Sequence, residues 1–312
     1  MQTILGANGP IADELAKELK RSYTSYIRLV SRTPRKVNDT DQLFAANLMD
    51  RKKTAEAVEG SEIAYLTVGL PMDTMLWTEQ FPTIMRNVID ACKKHQTKLV
   101  FFDNTYMYPQ NDEPLTEETE FAPVGQKGEV RATIAKMLLG EIRSKQIEAV
   151  ICRAPEFYGP GKTRSITNSF IFDNIKHGKT LKVLLRDDTL RTLIWTPDAS
   201  KAMALIGNTP DTYGQTWHLP CDDKRLTYKQ FIAIASEVCQ KEFAYEVLSK
   251  VALTEGGPLN KRYGELQELL PRYEHNNIFS SSKFKQRFPE FPVTTYRQGI
   301  EQVMKEQQGL TA

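Results

Sequence analysis

The residues best placed to do chemistry lie within the first dozen: Gly6-Ala7-Asn8-Gly9-Pro10-Ile11-Ala12. A short apolar run, Ile4-Leu5, stops at Gly6, and a helical pattern starts after Gly9. Gly6 can take a backbone conformation that a side chain would obstruct. Gly9 leaves the chain bare at the start of a helix, whose unpaired N–H groups and partial positive charge attract phosphate. Ala12 is small enough for the helix to close on its strand. The spacing G-x-x-G-x-x-A is a variant of the fingerprint that cradles a dinucleotide, and Asn8, Pro10 and Ile11 share in that turn.

The next signal is a charge. A second apolar run at 26–30 ends in Ser31-Arg32-Thr33-Pro34-Arg35-Lys36. An acid at this place binds the ribose 2′-hydroxyl of NAD, whereas a cation accommodates the 2′-phosphate of NADP. No acid is present, and Arg32 can make paired hydrogen bonds to a phosphate. Ser31 and Arg32 therefore point to NADP as the cofactor, with NAD as the alternative.

These residues need a scaffold that brings strand ends together. After the glycine turn, Ile11, Leu15 and Leu19 recur at helical spacing with charges on the other side. Apolar runs at 63–67, 98–102 and 148–152 alternate with helical patterns at 52–58, 78–95 and 125–143. Such alternation predicts a parallel sheet with helices on both faces. The five runs, numbered along the chain, are expected in the order 3-2-1-4-5. Beyond Pro155 the rhythm becomes irregular, with short strands among helical pieces, and reads as a substrate-side region.

Composition removes several classes. Lys and Arg total 41 against 39 Asp and Glu, a balance that argues against a nucleic-acid binder. Cys92, Cys152, Cys221 and Cys239 form no C-x-x-C pair and read as reduced thiols, and the four histidines give no metal spacing. No metal is expected. No apolar stretch is long enough to span a bilayer. The first strand begins at the N-terminal methionine, leaving no room for a signal peptide, so the expected location is the cytoplasm. The partner these features leave is a small-molecule substrate, with a second copy of the chain, a homodimer, as the assembly they allow.

Taken in order, the motifs resemble the extended short-chain dehydrogenase/reductase superfamily, in its NAD(P)-dependent epimerase/dehydratase branch. The resemblance covers nearly the whole chain. It rests on the glycine turn; on Asn47-Leu48, where the family has an acid-leucine pair beside the adenine; and on Thr67-Val68-Gly69, whose backbone lines the cofactor. Its most specific station is Arg153-Ala154-Pro155-Glu156-Phe157-Tyr158-Gly159-Pro160-Gly161, similar to the family's R-P-x-x-x-Y-G-P-G segment beside the nicotinamide. By that likeness Ala154, Pro155 and Phe157 contact the cofactor. Thr196-Pro197-Asp198-Ala199 and Gly214-Gln215-Thr216-Trp217-His218 match later stations. The fold implied is a doubly wound Rossmann α/β sheet over 1–160, with a smaller mixed α/β substrate-binding region over 161–312 interleaved with it.

The catalytic stations depart from the family. Where members have a serine or threonine before V-Y-G, this chain has Asn104, in Asp103-Asn104-Thr105-Tyr106-Met107-Tyr108. Where they have Y-G-x-x-K it has Lys127-Gly128-Glu129-Val130-Arg131. The four-residue spacing keeps Lys127 and Arg131 on one helical face. The likeness implies that Asn104 donates to a substrate oxygen, Lys127 transfers the proton and Arg131 holds the nicotinamide ribose, with Tyr106 as a further proton donor. Arg164, Ser165, Asn168, Arg191 and Trp195 lie where the family recognises substrate. The activity implied is epimerase/dehydratase-like or reductase-like, on a carbonyl or hydroxyl carbon of a sugar-type or other small molecule. The alternative is an NADP-binding redox sensor without turnover.

Overall fold

The computed structural model describes every residue except 162, 257–260, 308 and 310–312, with the backbone alone at 254–256 and 261–263. In chain order the first elements are β1 (Gln2–Leu5), α1 (Pro10–Ser22), β2 (Ile27–Ser31), β3 (Gln42–Ala45), α2 (Arg51–Val58), β4 (Ile63–Leu66), α3 (Thr74–His95), β5 (Lys98–Asp103), α4 (Gly125–Arg143) and β6 (Ala149–Arg153). There follow β7 (Glu156–Tyr158), a π-helical turn at Asn168–Phe172, α5 (Asp173–Lys176), β8 (Leu181–Leu184), β9 (Leu190–Arg191), β10 (Leu193–Trp195), α6 (Thr196–Gly207) and β11 (Thr216–His218). The chain closes with β12 (Leu226–Thr227), α7 (Tyr228–Cys239), β13 (Tyr245–Leu248), α8 (Lys250–Gly256), α9 (Lys261–Leu266), α10 (Ser282–Arg287) and α11 (Tyr296–Gln307).

Two compact units result. The first comprises Met1–Met107, Gln126–Ala154 and Ala199–Leu219. It holds a seven-stranded sheet in the order β11-β6-β5-β4-β1-β2-β3, parallel throughout. This is the Rossmann-type α/β architecture. The expected order 3-2-1-4-5 needs one correction. The apolar run at 63–67 does not take the third place; as β4 it pairs directly with β1. The edge position beyond β2 belongs to β3, which the sequence reading missed. Gln42, Leu43 and Ala45 are exposed there, so an edge strand carries no apolar run to announce it.

The central strands are buried on both faces: every residue of β1, β4 and β6 is buried. Leu5, Val30, Leu66, Leu99, Phe101 and Ile151 pack with Trp77, Phe81, Ile84 and Val88 of α3 and with Ile134 and Leu138 of α4. Each such side chain contributes about 1.5–3 kcal/mol by leaving water. Helix α3 begins a turn earlier than the sequence pattern at 78–95 suggests. The Asp73 side chain accepts from Leu76 N and caps the helix at Thr74, and Gln96 in the left-handed region (φ 52°) ends it.

The second unit comprises Tyr108–Gly125, Pro155–Asp198 and Pro220–Ala312. Its core gathers Tyr158, Phe172, Trp195, Phe231, Tyr273, Tyr296 and Ile300. Two short parallel pairs, β7 with β10 and β8 with β13, and one antiparallel pair, β9 with β12, replace a continuous sheet.

Among the described residues no helix is long and apolar enough to cross a membrane, and no group of three His, Cys, Asp or Glu side chains could hold a metal ion.

Candidate active site

The glycine turn is built around one close approach. Gly6 has φ +105°, and a Cβ there would lie 2.6 Å from Val68 N and 2.7 Å from Val68 Cα. No other residue fits, because both the backbone conformation and the space require its absence of a side chain. Gly6 N and Ala7 N both donate to Val30 O at 2.9 Å, and Thr67 N donates to Leu5 O at 2.9 Å. The turn is thereby locked to the ends of β2 and β4, and Thr67 and Val68 stand half-buried beside it with Gly69 exposed.

Gly9 is different. It precedes α1 in an extended conformation, Pro10 occupies the first helical turn, and no side chain caps the helix. A Cβ on Gly9 would meet nothing within 4 Å. The start of α1 is therefore bare, polar and open, which suits a diphosphate. Ile11 is buried, and its carbonyl accepts from Ser200 Oγ at 3.0 Å, which fixes α1 to α6. The donor chemistry fits a dinucleotide. Gly6, Asn8, Gly9, Pro10 and Ile11 make up this turn and helix start.

At the end of β2, Ser31 is half-buried and Arg32 and Arg35 are exposed. Arg32 has no carboxylate partner among the described residues. Asn8 reaches across to this loop. Its Nδ2 donates to Ser31 Oγ at 3.1 Å and to Thr33 O at 2.7 Å, and its Oδ1 accepts from Arg35 N at 3.0 Å. Beyond β3, Asn47 is exposed and its Oδ1 accepts from Met49 N at 3.1 Å. Leu48 is buried, and Asn87 Nδ2 donates to its carbonyl at 2.9 Å.

The stations where the sequence departs from its relatives meet at the end of β5. Lys127 is wholly buried, and its Nζ donates to Thr74 Oγ1 at 2.6 Å. Thr74 is half-buried and is the more exposed of the two. Arg131, one turn on, is buried as well and is held by a carboxylate. Its Nε donates to Asp103 Oδ1 at 3.0 Å and its Nη2 bonds the same oxygen. Its guanidinium also lies over the rings of Phe81 (5.0 Å) and Phe101 (5.3 Å). The reason is Asp103. A carboxylate buried at the end of an apolar strand needs cations, and Arg153 supplies the second: its Nε and Nη2 donate to Asp103 Oδ2 at 3.3 and 3.2 Å.

Asn104 follows directly. Its backbone N donates to Asp103 Oδ1 at 2.8 Å, and its own Oδ1 accepts from Tyr106 N at 3.0 Å. With the oxygen so engaged, Nδ2 is the end left to donate to a substrate. Tyr106, offered as a proton donor, stacks on Trp77 with centroids 5.9 Å apart and planes 11° apart. Ala154 is buried and its N donates to Asp103 O at 3.0 Å. The structure thus brings Asn104, Arg131 and Ala154 together around Asp103, with Lys127 one helical turn from Arg131 and bonded to Thr74. Thr74 was missed by the sequence reading, and Asp103 and Arg153 were read there only as parts of motifs, not as an ion pair.

Within the second unit, Pro155 is buried and Phe157 half-buried on either side of Glu156. Of the residues offered for substrate recognition, Arg164 is exposed, while Asn168, Arg191 and Trp195 are buried. Asn168 holds Gly159 through both its N (3.2 Å) and its O (2.8 Å), and Ser165 Oγ donates to Asn168 Oδ1 at 3.0 Å. Trp195 packs on Tyr158 at 5.2 Å. Arg191 Nη2 donates to Glu156 Oε2 at 3.0 Å, and Tyr273 OH donates to Glu156 Oε1 at 2.6 Å. Burial, and then the Glu156 charge, push the Tyr273 and Tyr228 hydroxyls well up from the ordinary phenol range.

Solved structures of similar shape share this fold. A UDP-glucuronic acid 4-epimerase from Bacillus cereus in complex with NAD superposes with a TM-score of 0.79 at 14% identity, over 99% of each chain. DesIV, a dTDP-glucose 4,6-dehydratase from Streptomyces venezuelae with NAD and TYD bound, gives 0.79 at 12% identity, over 99% of this chain and 97% of that one. A UDP-N-acetylglucosamine 4-epimerase from Bacillus cereus gives 0.78 at 13% identity, over 100% and 97%. No curated protein matches the sequence. The sequence profile of the NAD dependent epimerase/dehydratase family matches residues 3–219, well over half of the chain. That match joins the glycine turn, the β5 end and the Arg153 segment in one family pattern, and the chain belongs to the NAD dependent epimerase/dehydratase family.

Proposed function

We propose that the protein is an NADP(H)-dependent oxidoreductase of the epimerase or reductase kind, acting on a carbonyl or hydroxyl carbon of a sugar-type or other small molecule. The phosphate cradle carries the reading: Gly6 pressed against Val68, open space over Gly9 and a helix start that no side chain caps. The similar structures of the UDP-glucuronic acid 4-epimerase and DesIV hold NAD, which supports a dinucleotide in this cradle. Gly6, Asn8, Gly9, Pro10 and Ile11 would hold the diphosphate, and Ser31 with Arg32 the 2′-phosphate. Asn47 and Leu48 would flank the adenine, and Thr67, Val68, Gly69 and Ala154 would line the remainder. When bound, such a dinucleotide gives or takes a hydride.

The chain's own contribution is to the substrate oxygen. Asn104 Nδ2 donates to it. Lys127 holds a proton at Nζ and passes it to Thr74, the more exposed partner in their hydrogen bond. The Thr74 hydroxyl takes it at Oγ1 as it gives up its own. The test is a panel of small carbonyl compounds and nucleotide sugars, followed by dinucleotide absorbance. Lys127→Met and Thr74→Val should each lower turnover by about 10²-fold or more and leave NADP binding within about twofold.

A second reading has its own observation. Lys127 is shut from solvent and Arg131 is held by Asp103, an arrangement that also suits a redox sensor that binds the dinucleotide and turns nothing over. It expects NADP binding by wild type and both variants, with no turnover from any substrate in the panel.

A further inference from the structure

The Asn8 side chain is the bridge between two parts of the cradle that the sequence separates by more than twenty residues. It stands inside the glycine turn, in the left-handed region at φ 76°, a conformation that asparagine tolerates better than most residues with a side chain. From there all of its hydrogen-bonding groups facing the β2 loop are spent on that loop. Nδ2 donates to Ser31 Oγ and to Thr33 O, and Oδ1 accepts from Arg35 N. Both amide hydrogens and one oxygen lone pair are used. The anchored residues flank Arg32, whose own side chain is exposed. Pro34 stiffens the same stretch by fixing its φ.

A cation that selects a 2′-phosphate gains selectivity only if it is held ready, since ordering a flexible loop on binding costs affinity. The charge near the turn is mixed as well. Asp13, in the first turn of α1, lies within electrostatic reach of Arg35. A loosened loop could therefore give its cations to that carboxylate.

We propose that Asn8 is the residue that sets cofactor specificity, by holding the Ser31–Arg35 loop so that Arg32 reads the 2′-phosphate of NADP. This rests on the NADP reading above. Asn8 acts through Arg32 and is a positioning residue.

The experiment is a set of binding titrations of the full chain with NADP and with NAD, for wild type, Asn8→Gly, Arg32→Ala and the double variant. Glycine adopts the left-handed conformation freely, so Asn8→Gly removes the three bonds without straining the turn. Thermal melting checks that each variant is folded. Wild type should prefer NADP. Asn8→Gly keeps the backbone of the turn and should lose most of that preference, about fivefold or more, because NADP affinity falls far more than NAD affinity. In the Arg32→Ala background, Asn8→Gly should change the preference no further, because the two act through one contact. The proposal is overturned if Asn8→Gly keeps the wild-type preference, if it weakens both dinucleotides equally, or if its effect persists without Arg32. Equal affinities of wild type for the two dinucleotides would overturn the NADP reading first, and this inference with it.

Discussion

Asp103 and Arg153 face each other in register across β5 and β6, and the Asp103 carboxylate accepts both Nε and Nη2 of Arg153 on one oxygen while Arg131 occupies the other. All three groups are buried. The carboxylate binds the ends of two neighbouring strands and one helix into a single support beneath Asn104.

That support should be costly to break. Asp103→Ala removes the carboxylate that two buried guanidinium groups share, and removal of one partner of a buried ion pair costs about 3–5 kcal/mol. Chemical denaturation should show a loss of that size. A loss of under about 1 kcal/mol would mean that the arginines find other partners or water.

The two glycines of the turn should fail in different ways. Gly6→Ala places a methyl group against Val68 in a backbone conformation that alanine resists. Its expected effect is on folding: lower expression and a lower melting temperature, with the dinucleotide or without it. An unchanged melting temperature would show that the turn has room which the contact with Val68 denies.

Asp13 gives a pH dependence. Burial holds its carboxyl above the usual range, against the opposing pull of Arg35 and Lys17. A diphosphate arriving at the start of α1 disfavours the charged carboxylate further, so binding takes up protons and affinity rises as pH falls. Titrations with NAD at several pH values between neutrality and mild acid should show this rise for wild type and a flatter profile for Asp13→Asn. Parallel profiles would remove Asp13 from the electrostatics of the site.

Thiol chemistry should single out Cys239. Burial pushes the Cys92 thiol up to about 12 and the Cys152 and Cys221 thiols higher still, and all three are enclosed. Cys239 is half-exposed, although burial raises it too. Native protein treated with a maleimide at mildly alkaline pH should be labelled at Cys239 first, and digestion with mass spectrometry reads the position. Early labelling of Cys152 or Cys221 would show an opening of the interior.

What could be read from the sequence was local. The glycine turn is legible because strand, turn and helix follow one another within a dozen residues, and the same holds for the missing acid after β2. The strand β3 was not, because its side chains face water and carry no apolar pattern. Asp103 could have been suspected as a charge ending an apolar strand. Its partners could not, because the register of β5 on β6 and the packing of α4 decide them. Thr74 was lost with the first turn of α3, which an aspartate cap adds ahead of the apolar pattern. Lys127 and Arg131 were picked out by the resemblance to the family's Y-G-x-x-K motif, but a motif does not report burial, and their contacts with Thr74 and Asp103 are tertiary.

The most direct test of the phosphate cradle is calorimetric titration of NADP into wild type and Gly9→Val. Valine adopts the extended conformation at this position readily, and its side chain would enter space in which even a Cβ meets no protein atom within 4 Å. Melting should shift little, by the equivalent of about 1 kcal/mol for the poorer helix cap. Wild type is expected to bind one NADP per chain, and Gly9→Val to bind none at concentrations that saturate wild type. Wild-type affinity in Gly9→Val, or no binding by wild type at all, would contradict a dinucleotide diphosphate seated at the start of α1.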